Sequence, residues 1–494
     1  MAGTERVLRR VFVPFAVLVG CVFTVSCGGS DAPAYAAFAH KCAAPAAGET
    51  QGTLNDEKIW LRAWTDDLYL WYREVPSYDP AGYPSAIAYF NALKTTALTP
   101  SGNPKDKFHF TIPTAEWQSF STSGVSVGYG IEWAIVKPKM PRDVRVGYVA
   151  AGSPGGNANM ARGTQIMAVD GVRVLDGDAA AINAGLGPSD VGETHNFSVI
   201  FPGTTSEVPV SLTAQSVQSN PVPVSGKLTG TSVGYILFND HIATSENLLA
   251  QAISNLRSQG ITDLVLDIRY NGGGYLAIAS ELAYMISGPS TTGKAFETLS
   301  FNDKHPTNDP VTGQLLTPTP FLSTGQGFSV SRNTPLPTLG LSRVFVLTDG
   351  GTCSASESII NGLRGQNINV VQIGFTTCGK PYGFYPADNC GTTYFSIQFK
   401  GVNAKGFGDY PDGFTPAGTD PAGVPGCLVA EGFDHELGDP AEARISAALQ
   451  YIANGTCPPL PAIPTTALSV AATGSDTLVA KPPWRENRIV LRNR

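Results

Sequence analysis

Charged side chains are scarce in this sequence. Asp, Glu, Lys and Arg together make up 15% of the chain, against roughly 25% in an average soluble protein. The net charge is −7, and Lys and Arg do not cluster along the chain. A nucleic-acid surface needs clustered cations to neutralise phosphates. The composition therefore excludes nucleic acid as the expected partner.

Closely spaced metal ligands are also missing. The sequence has only six His residues, which are scattered, and its cysteines contain no C-x-x-C pair. Structural zinc sites are usually built from such closely spaced Cys and His residues. We therefore expect neither a metal ion nor another cofactor.

The apolar run near the N-terminus, residues 11–26, is sixteen residues long, whereas a membrane-spanning helix needs about 20. Arg6, Arg9 and Arg10 precede it. A basic segment followed by a short apolar segment is typical of a secretory signal peptide. The sequence thus predicts export, with an uncleaved membrane anchor as the alternative.

Two cysteines, Cys21 and Cys27, are candidate lipid-attachment sites at the end of this segment. The flexible sequence Gly-Gly-Ser-Asp follows Cys27, whereas more apolar residues follow Cys21. Lipidation of Cys27 would leave six cysteines, and an even number in an exported chain indicates disulfides. We therefore predict Cys27 as the lipid attachment, on the periplasmic side of the cell envelope.

Glycine and proline are abundant, at 54 and 37 residues, which predicts many turns. Trp60, Trp64, Leu68 and Trp71 follow one another at helical spacing within residues 54–73. An aromatic stripe of this kind usually faces a core. The pattern predicts a small helical N-terminal cap.

Short strands separated by turns follow over residues 122–215. The order of a glycine-flanked loop (Gly128, Tyr129, Gly130, Ile131), a strand, a Gly-Ser-Pro turn and a Val-Asp-Gly turn resembles a PDZ domain. In that fold, backbone N–H groups of the loop hold a peptide's C-terminal carboxylate while the peptide adds a strand. The resemblance implies a peptide-binding role for those four residues. The alternative is a β-rich domain that binds no peptide.

Residues 226–457 alternate apolar strands with helices, which predicts an α/β core with a mostly parallel sheet. A last helix is expected from Asp439-Pro440 to near Gly455. Beyond Cys457 the chain is rich in Pro, Ala and Thr and is expected to remain unpacked.

Ser354 lies where a buried strand ends in a glycine turn and a helix begins. The free N–H groups of a helix N-terminus stabilise an oxyanion. A serine at this position is a candidate nucleophile, although it can also simply cap the helix. Lys380 follows the next predicted strand, so both residues are expected at one edge of the sheet. A lysine in a dry pocket readily loses its charge and acts as a base.

The third segment of interest is Asp267-Ile-Arg-Tyr-Asn-Gly-Gly-Gly274, in which glycines follow a buried strand. Glycines allow close approach of the backbone to a ligand at the edge where open α/β sheets bind ligands. Gly272 or Gly273 is a candidate for a second oxyanion N–H. Neither the Walker lysine nor the G-x-G-x-x-G pattern accompanies this segment, which argues against phosphate binding.

Together, "DIRYNGGG", "VLTDGGTCSASE" and "TTCGK", downstream of a PDZ-like segment, resemble the C-terminal processing (tail-specific) serine protease family over about residues 54–457. The resemblance implies Ser354 as nucleophile, Lys380 as general base, and the N–H groups of Gly272, Gly273 and Ala355 as the oxyanion hole.

The sequence departs from this family in the residues after Lys380. Pro381 and Phe384 stand where the family commonly has Gly and a Gln that orients the lysine. Tyr382 is a candidate replacement for that Gln. A related branch uses a histidine upstream of the PDZ-like domain, which makes His109 the alternative base.

The six cysteines leave several pairings open. We favour Cys378–Cys390, which would pin the loop carrying Lys380, and Cys427–Cys457, leaving Cys42 with Cys353 or both free. The alternative Cys353–Cys378 would make the active site itself redox-sensitive. Spacing does not decide between them, because a bridge requires only that the Cα atoms lie within about 7 Å.

The sequence as a whole predicts an exported, lipid-anchored serine endopeptidase that cleaves polypeptides at or near free C-termini by a Ser-Lys mechanism. The alternative is a catalytically weak peptide-binding envelope protein on the same fold. The predicted order is a lipoprotein-type signal peptide (1–27), a tether (28–53), a helical N-terminal domain (54–121), a PDZ-like domain (122–215), a protease catalytic domain (226–457) and a low-complexity tail (458–494).

Overall fold

The computed structural model describes residues 33–459, 477–479, 481 and 488–491. The predicted signal peptide, with Cys21 and Cys27, lies outside the described residues. Along the described chain, an N-terminal region (33–123) is followed by a β-rich unit (124–218) and an α/β core (221–457).

The N-terminal region is built around helix α1, which a capping box between Thr53 and Asp56 starts. Trp60 and Trp64 stack on its buried face, with ring centroids 5.4 Å apart. The helix ends at Leu68, earlier than predicted, so Trp71 belongs to the turn that follows it. The elements are β1 (Lys41–Cys42), β2 (Thr50–Gln51), α1 (Leu54–Leu68), α2 (Ala86–Ala92), β3 (Phe110–Pro113), α3 (Thr114–Ser123), and 3-10 turns at Ala34–Phe38, Tyr72–Glu74 and Pro80–Gly82.

This region is joined to the core rather than sitting apart from it. A disulfide links Cys42 to Cys390, and β3 pairs antiparallel with residues 392–395. The described part of the predicted tether, residues 33–53, therefore differs from the expectation, because its cysteine and its strands β1 and β2 fix it to the folded chain.

The β-rich unit contains an antiparallel sheet in the order β10-β9-β7-β6-β5. Its core is formed by residues such as Trp133, Val146 and Phe197. Its elements are β4 (Val125–Gly128), β5 (Ile131–Lys137), β6 (Asp143–Val149), α4 (Pro154–Asn157), β7 (Gln165–Val169), β8 (Val172–Arg173), α5 (Ala179–Leu186), β9 (Thr194–Ile200), β10 (Val208–Thr213) and β11 (Gln215–Gln218).

A central sheet in the order β12-β13-β14-β18-β19-β26 forms the α/β core. The elements are β12 (Val224–Lys227), β13 (Val233–Leu237), α6 (Ser245–Ser258), β14 (Asp263–Asp267), β15 (Gly273–Tyr275), α7 (Leu276–Ser287), a 3-10 turn (Gly288–Thr291), β16 (Ala295–Ser300), β17 (Thr319–Pro320), β18 (Arg343–Thr348), α8 (Ala355–Gly365), β19 (Asn369–Gly374), β20 (Tyr382–Gly383), β21 (Ala387–Asn389), β22 (Thr392–Phe395), β23 (Phe399–Val402), β24 (Thr415–Pro416), β25 (Gly423–Val424), β26 (Gly426–Leu428) and α9 (Ala443–Asn454).

The pairings in this sheet are parallel except at the edge, where β12 runs antiparallel to β13. The other sheets of the described chain are mainly antiparallel, as in the β-rich unit. The molecule is therefore a mixed α/β protein, which corrects the expectation of a mostly parallel sheet. The sequence signal came from the central strands alone, because only these are continuous apolar runs.

Both faces of the central sheet are covered. Along β18, Val344 and Val346 pack with helices α6 to α8, while Phe345 and Leu347 face the side that packs with α9. Because β14, β18 and β19 are parallel neighbours, the segments that follow them meet at one edge. This edge carries Gly272, Ser354 and Lys380.

The C-terminal part of the chain differs from the predictions in two ways. Helix α9 begins at Ala443 and not at Asp439-Pro440, because the Glu442 side chain caps it. Part of the predicted low-complexity tail is packed: Leu478, Lys481 and Val490 are buried, and Arg488–Val490 forms strand β27. None of the helices within the described ranges is long and apolar enough to cross a membrane.

Candidate active site

Ser354 occupies a sharp connection between β18 and α8. Its φ and ψ are 64° and −118°, which a residue other than glycine seldom adopts. Its side chain is fully buried. The residues on either side of Ser354 are hydrogen-bonded to the segment after β14, because Cys353 N–H and Ser356 Oγ both donate to the Asn271 carbonyl at 3.0 Å. The strained backbone thus places Ser354 beside the glycine segment.

Lys380 lies in the loop after β19 and is fully buried. Its Nζ is 4.1 Å from the ring centroid of Phe384 and 5.0 Å from that of Phe108. Phe384, at the position where the family resemblance leads one to expect a Gln, therefore offers an aromatic face to the amine. Tyr382 instead packs edge-on against Trp71, with centroids 4.8 Å apart.

The carboxylate of Glu357 connects the two segments. Its Oε2 accepts the backbone N–H groups of Ser354 and Lys380, each at 2.8 Å. Its Oε1 accepts from Gly379 N–H at 2.9 Å and from Thr377 Oγ1 at 2.5 Å. Burial raises the pKa of Glu357 above its ordinary value, and these hydrogen bonds offset only part of the rise. One side chain therefore fixes both the predicted nucleophile and the predicted base.

The sequence interpretation named Glu357 only as part of a motif and assigned it no role. The available signal was its position three residues after Ser354, the spacing of a capping box. That spacing indicates the bond from Glu357 to Ser354 N–H. The bonds to residues 377–380 depend on the packing of β19 beside β18.

A disulfide makes a second connection between the same segments. It joins Cys353 to Cys378, with Cα atoms 5.1 Å apart. The favoured pairing Cys378–Cys390 is therefore wrong, since Cys390 pairs with Cys42; Cys427–Cys457 is confirmed. The parallel pairing of β18 with β19 brings residues 353 and 378 together. Cys378 therefore pairs with Cys353, although Cys390 is nearer to it along the chain.

The predicted oxyanion glycines are positioned by Asn271. Its Oδ1 accepts the N–H of Gly273 at 3.0 Å, and its Nδ2 donates to the Phe238 carbonyl at 2.9 Å. Gly273 N–H is therefore engaged within the segment, which leaves Gly272 as the candidate donor from this side. Ala355 is the first residue of α8, the position expected for the other donor.

Buried ion pairs and hydrogen bonds hold the residues that precede Asn271 and the glycines. Arg269 Nε donates to Asp267 Oδ1 and Arg269 Nη1 to Glu442 Oε1, both at 2.9 Å. Arg162 of the β-rich unit donates to the hydroxyl of Tyr270 at 3.2 Å and pairs with Glu431 at 2.8 Å. These contacts connect the β-rich unit to the glycine segment.

The four predicted peptide-binding residues, Gly128 to Ile131, line a cavity of about 1360 Å³ between the β-rich unit and the core. Gly130 has φ +69°, and a Cβ on it would lie 2.3 Å from Cβ of Ser153, so the position requires glycine. The Tyr129 ring is buried, and its hydroxyl donates to the Gly185 carbonyl at 3.1 Å. Tyr129 therefore contributes its backbone to the cavity.

His109, the alternative base, is held in the N-terminal region. Its ring stacks on Phe90, with centroids 3.8 Å apart, and its Nε2 lies 2.9 Å from the Phe90 carbonyl. Burial lowers the pKa of His109 to about 4, against a weaker opposing effect of Asp106. His109 is therefore part of the aromatic core around α1.

The residues of this candidate site lie in a segment that matches a known protein family. Residues 232–383, which hold Ser354, Lys380 and the glycine segment, match the model of peptidase family S41. This part of the chain is thus similar to peptidase family S41. The match supports the assignment of a serine peptidase.

Two relatives of the S41 segment are carboxyl-terminal-processing proteases. The one from Synechocystis sp. is 28% identical over 234 residues, 47% of this chain and 48% of the relative. The one from Picosynechococcus sp. is 32% identical over 168 residues, 33% of this chain and 39% of the relative. The chain thus spans half or less of the length of these relatives.

A solved structure from Bacteroides fragilis, of a protein assigned to the S41 proteases, superimposes with a TM-score of 0.59. It covers 80% of this chain and 97% of the other, at 23% identity. At this identity the likeness shows a shared fold.

Proposed function

We propose that this protein is a serine endopeptidase that cleaves polypeptides at or near their C-termini, with Ser354 as nucleophile and Lys380 as general base. The observation that carries the proposal is the bonding of both residues to one carboxylate, that of Glu357. A nucleophile and a base act together only when their relative position is fixed. The S41 match covers these residues and the names of the relatives agree with the activity.

In this mechanism, neutral Lys380 removes the proton from Ser354 Oγ as the oxygen attacks the scissile carbonyl. The developing oxyanion is stabilised by the N–H groups of Gly272 and Ala355. Lys380 then returns the proton to the leaving amine, and water hydrolyses the acyl-enzyme. Only the neutral amine accepts a proton, so kcat/KM should rise with pH.

The proposal extends to substrate capture and location. The β-rich unit is taken as a PDZ-like domain whose loop Gly128–Ile131 holds the substrate's C-terminal carboxylate. The chain is exported and attached through a lipid on Cys27 to the periplasmic side of the envelope. Amidating the C-terminus of a long unfolded substrate should then slow its cleavage more than it slows that of a short peptide.

The deciding experiment compares Ser354→Ala and Lys380→Met with Ser356→Ala in hydrolysis of an unfolded protein and in labelling by a fluorophosphonate. Ser354→Ala should abolish both hydrolysis and labelling, and Lys380→Met should reduce hydrolysis about as strongly, because the two residues act as a unit. Ser356→Ala, which removes the hydroxyl that donates to the Asn271 carbonyl, should keep fluorophosphonate labelling and lose much less hydrolysis than Ser354→Ala.

The control variant His109→Ala, checked for folding by its melting temperature, should stay active. Activity of Lys380→Met together with loss in a folded His109→Ala would reassign the base. Fluorophosphonate labelling without hydrolysis of any peptide would favour the catalytically weak peptide-binding protein.

A further inference from the structure

The described residues of segment 477–491, which are 477–479, 481 and 488–491, contact both parts of the proposed site. They contact first the β-rich unit, then the link between that unit and the core, and finally the glycine segment beside Ser354. The inference below rests on the proposed function, since it concerns what enters the same site.

The first contact is with helix α5 of the β-rich unit. Asn183 Nδ2 donates to the Thr477 carbonyl at 3.0 Å, and Val479 N–H donates to Asn183 Oδ1 at 2.9 Å. Leu478, between them, is 4% exposed and packs into the core of the unit with Trp133. The segment is thus held through its backbone and one apolar side chain, as a bound peptide is.

The second contact is made by Lys481, which is buried. Its Nζ pairs with Glu132 of β5 at 2.9 Å and also donates to the carbonyl of Tyr270. Val479 and Lys481 line the same cavity as the loop Gly128–Ile131. Lys481 therefore connects β5 of the β-rich unit to the residue that precedes Asn271 and the glycines.

The third contact is a β-strand. Residues 488–490 (β27) pair in parallel with Gly273–Tyr275 (β15). On the other side, Val490 forms a bridge with Phe384, and Leu491 N–H donates to the Phe384 carbonyl at 3.2 Å. β27 also contacts α8, the helix that begins immediately after Ser354.

Val490 is 1% exposed and lies in the apolar cluster that contains Ile242, Phe384 and Phe395. Phe384 is the residue whose ring faces Lys380. Strand β27 therefore lies between the backbone of β15 and that of Phe384. Its Val490 fills an apolar pocket beside Lys380, the proposed base. An extended substrate needs these same backbone edges to add as a strand.

We propose that segment 477–491 is an intramolecular occupant of the substrate path and competes with polypeptide substrates for the site. Because the segment belongs to the same chain, its effective concentration is on the order of millimolar. Substrates enter only when it leaves. The pocket filled by Val490 is then a subsite for an aliphatic side chain of the substrate.

The test uses full-length protein with Val490→Asp, which places a charge in the apolar pocket and should release β27. The matched control is Val191→Asp, the same substitution at a side chain that is 60% exposed and is not part of the cavity lining. We expect Val490→Asp to raise kcat/KM for a short fluorogenic peptide, and the rate of fluorophosphonate labelling, about tenfold or more. Val191→Asp should stay within about twofold of the wild type.

A second variant protects the test against misfolding of Val490→Asp, which melting temperature would reveal. Lys481→Glu opposes Glu132 with a like charge without touching the aromatic cluster, and it should activate the enzyme in the same way. A synthetic peptide of residues 485–494 should inhibit Val490→Asp competitively, raising KM and leaving kcat unchanged. The same peptide carrying Asp at the position of Val490 should not inhibit.

Docking is measured separately from catalysis by hydrogen exchange in the Ser354→Ala protein. The amides of residues 273–275 should exchange slowly, and faster once Val490→Asp is added. If folded Val490→Asp and Lys481→Glu keep wild-type rates and unchanged exchange, the inference is overturned while the proposed function stands. If no variant hydrolyses peptides or reacts with the fluorophosphonate, the proposed function fails, and the exchange experiment still decides whether the segment is docked.

Discussion

Ser354 carries backbone strain that the surrounding bonds must hold in place. A non-glycine residue in such a conformation costs about 1–3 kcal/mol. Its N–H donates to Glu357 Oε2 at 2.8 Å, and its carbonyl accepts Ser358 N–H at 2.9 Å. Strain of this kind is often found at functional sites, where the neighbouring structure fixes it. The position of Ser354, the predicted nucleophile, therefore depends on Glu357.

Replacing Glu357 with Gln should lower kcat about 100-fold, the size of effect expected when a reacting group is misplaced by about 1 Å. The amide keeps one oxygen acceptor but adds an N–H donor that faces the N–H groups of Ser354 and Lys380 or of Gly379. KM should change little, because the substitution does not touch the proposed peptide-binding loop. Steady-state kinetics on a short peptide measure both values.

The control for this substitution is Glu207→Gln, at an exposed glutamate paired with Arg173. It should leave kcat unchanged. An equal loss of kcat in both variants, or wild-type kcat in a folded Glu357→Gln, would remove the positioning role.

At the scale of elements, two disulfides of similar loop length have different positions. Cys353–Cys378 closes 25 residues and joins the turns after β18 and β19, which carry the predicted nucleophile and base. Cys427–Cys457 closes 30 residues and ties β26 to the end of α9, away from Ser354. Loops of these lengths stabilise a fold by about 3–4 kcal/mol each in the chain-entropy model.

We expect the double variant Cys353→Ser/Cys378→Ser to lose activity, with kcat reduced about tenfold, since only hydrogen bonds, among them those of Glu357, then hold the two turns together. The double variant Cys427→Ser/Cys457→Ser should lose similar stability but keep its kcat. Denaturant unfolding gives the stability, and peptide hydrolysis below the unfolding range gives kcat.

The same contrast appears with a reductant. Dithiothreitol donates two electrons to Cys353–Cys378, forming two thiols and its own cyclic disulfide, and should slow the wild type reversibly. It should not slow the variant that lacks this pair. Equal inhibition of the wild type and of the variant that lacks Cys353–Cys378 would show that this disulfide is not responsible.

At the scale of the whole molecule, a buried ion network joins the β-rich unit, the glycine segment and the chain before α9. Arg162, Arg269 and Arg444 surround Glu431. Burial raises the pKa of Glu431, but these guanidinium groups and the Tyr270 hydroxyl outweigh it and lower the pKa to about 2, from an ordinary value of 4.5. The network is thus a contact between units whose strength depends on pH.

Because the folded-state pKa of Glu431 lies below its unfolded value, its contribution to stability is present above pH 4.5 and is lost as the pH falls towards 2. The shift corresponds to about 3 kcal/mol. Glu431→Gln should therefore lower the free energy of unfolding by about that amount at pH 7, with a shrinking difference below pH 4.5. Denaturant unfolding at pH 7, 4.5 and 3 measures this difference.

Glu207→Gln again serves as the control, because an exposed ion pair contributes only about 0–1 kcal/mol. A difference between wild type and Glu431→Gln that stays constant from pH 7 to pH 3 would contradict the assigned titration.

Several features of the site could be predicted from the sequence because they depend on local pattern. The apolar runs of β14, β18 and β19 and the helices at 276–287 and 355–365 follow from periodicity and from glycine turns. Parallel strands end at one edge of the sheet, so Ser354, Lys380 and Gly272 were expected to lie together. The assignment of their chemical roles remains a prediction, drawn from the family resemblance.

Other features depend on contacts between residues that are distant in sequence. The disulfide partner of Cys353 depends on the register of β18 and β19 and not on separation along the chain. The face that Phe384 turns towards Lys380 depends on packing with the N-terminal region. The boundary of α9 depended on Glu442, whose carboxylate both caps the helix and pairs with Arg269.

The sequence alone thus determined the α/β core, the turn at Ser354 and the sheet edge that Ser354 and Lys380 share, because periodicity and turn chemistry act over a few residues. The tertiary structure decided how Glu357 and Cys353–Cys378 connect the segments that carry these two residues. It also decided that Leu478, Lys481 and Val490 are buried, although the composition of this part of the chain had predicted an unpacked tail. Their burial depends on contacts with separate parts of the chain that are distant in sequence, and no local pattern encodes such contacts.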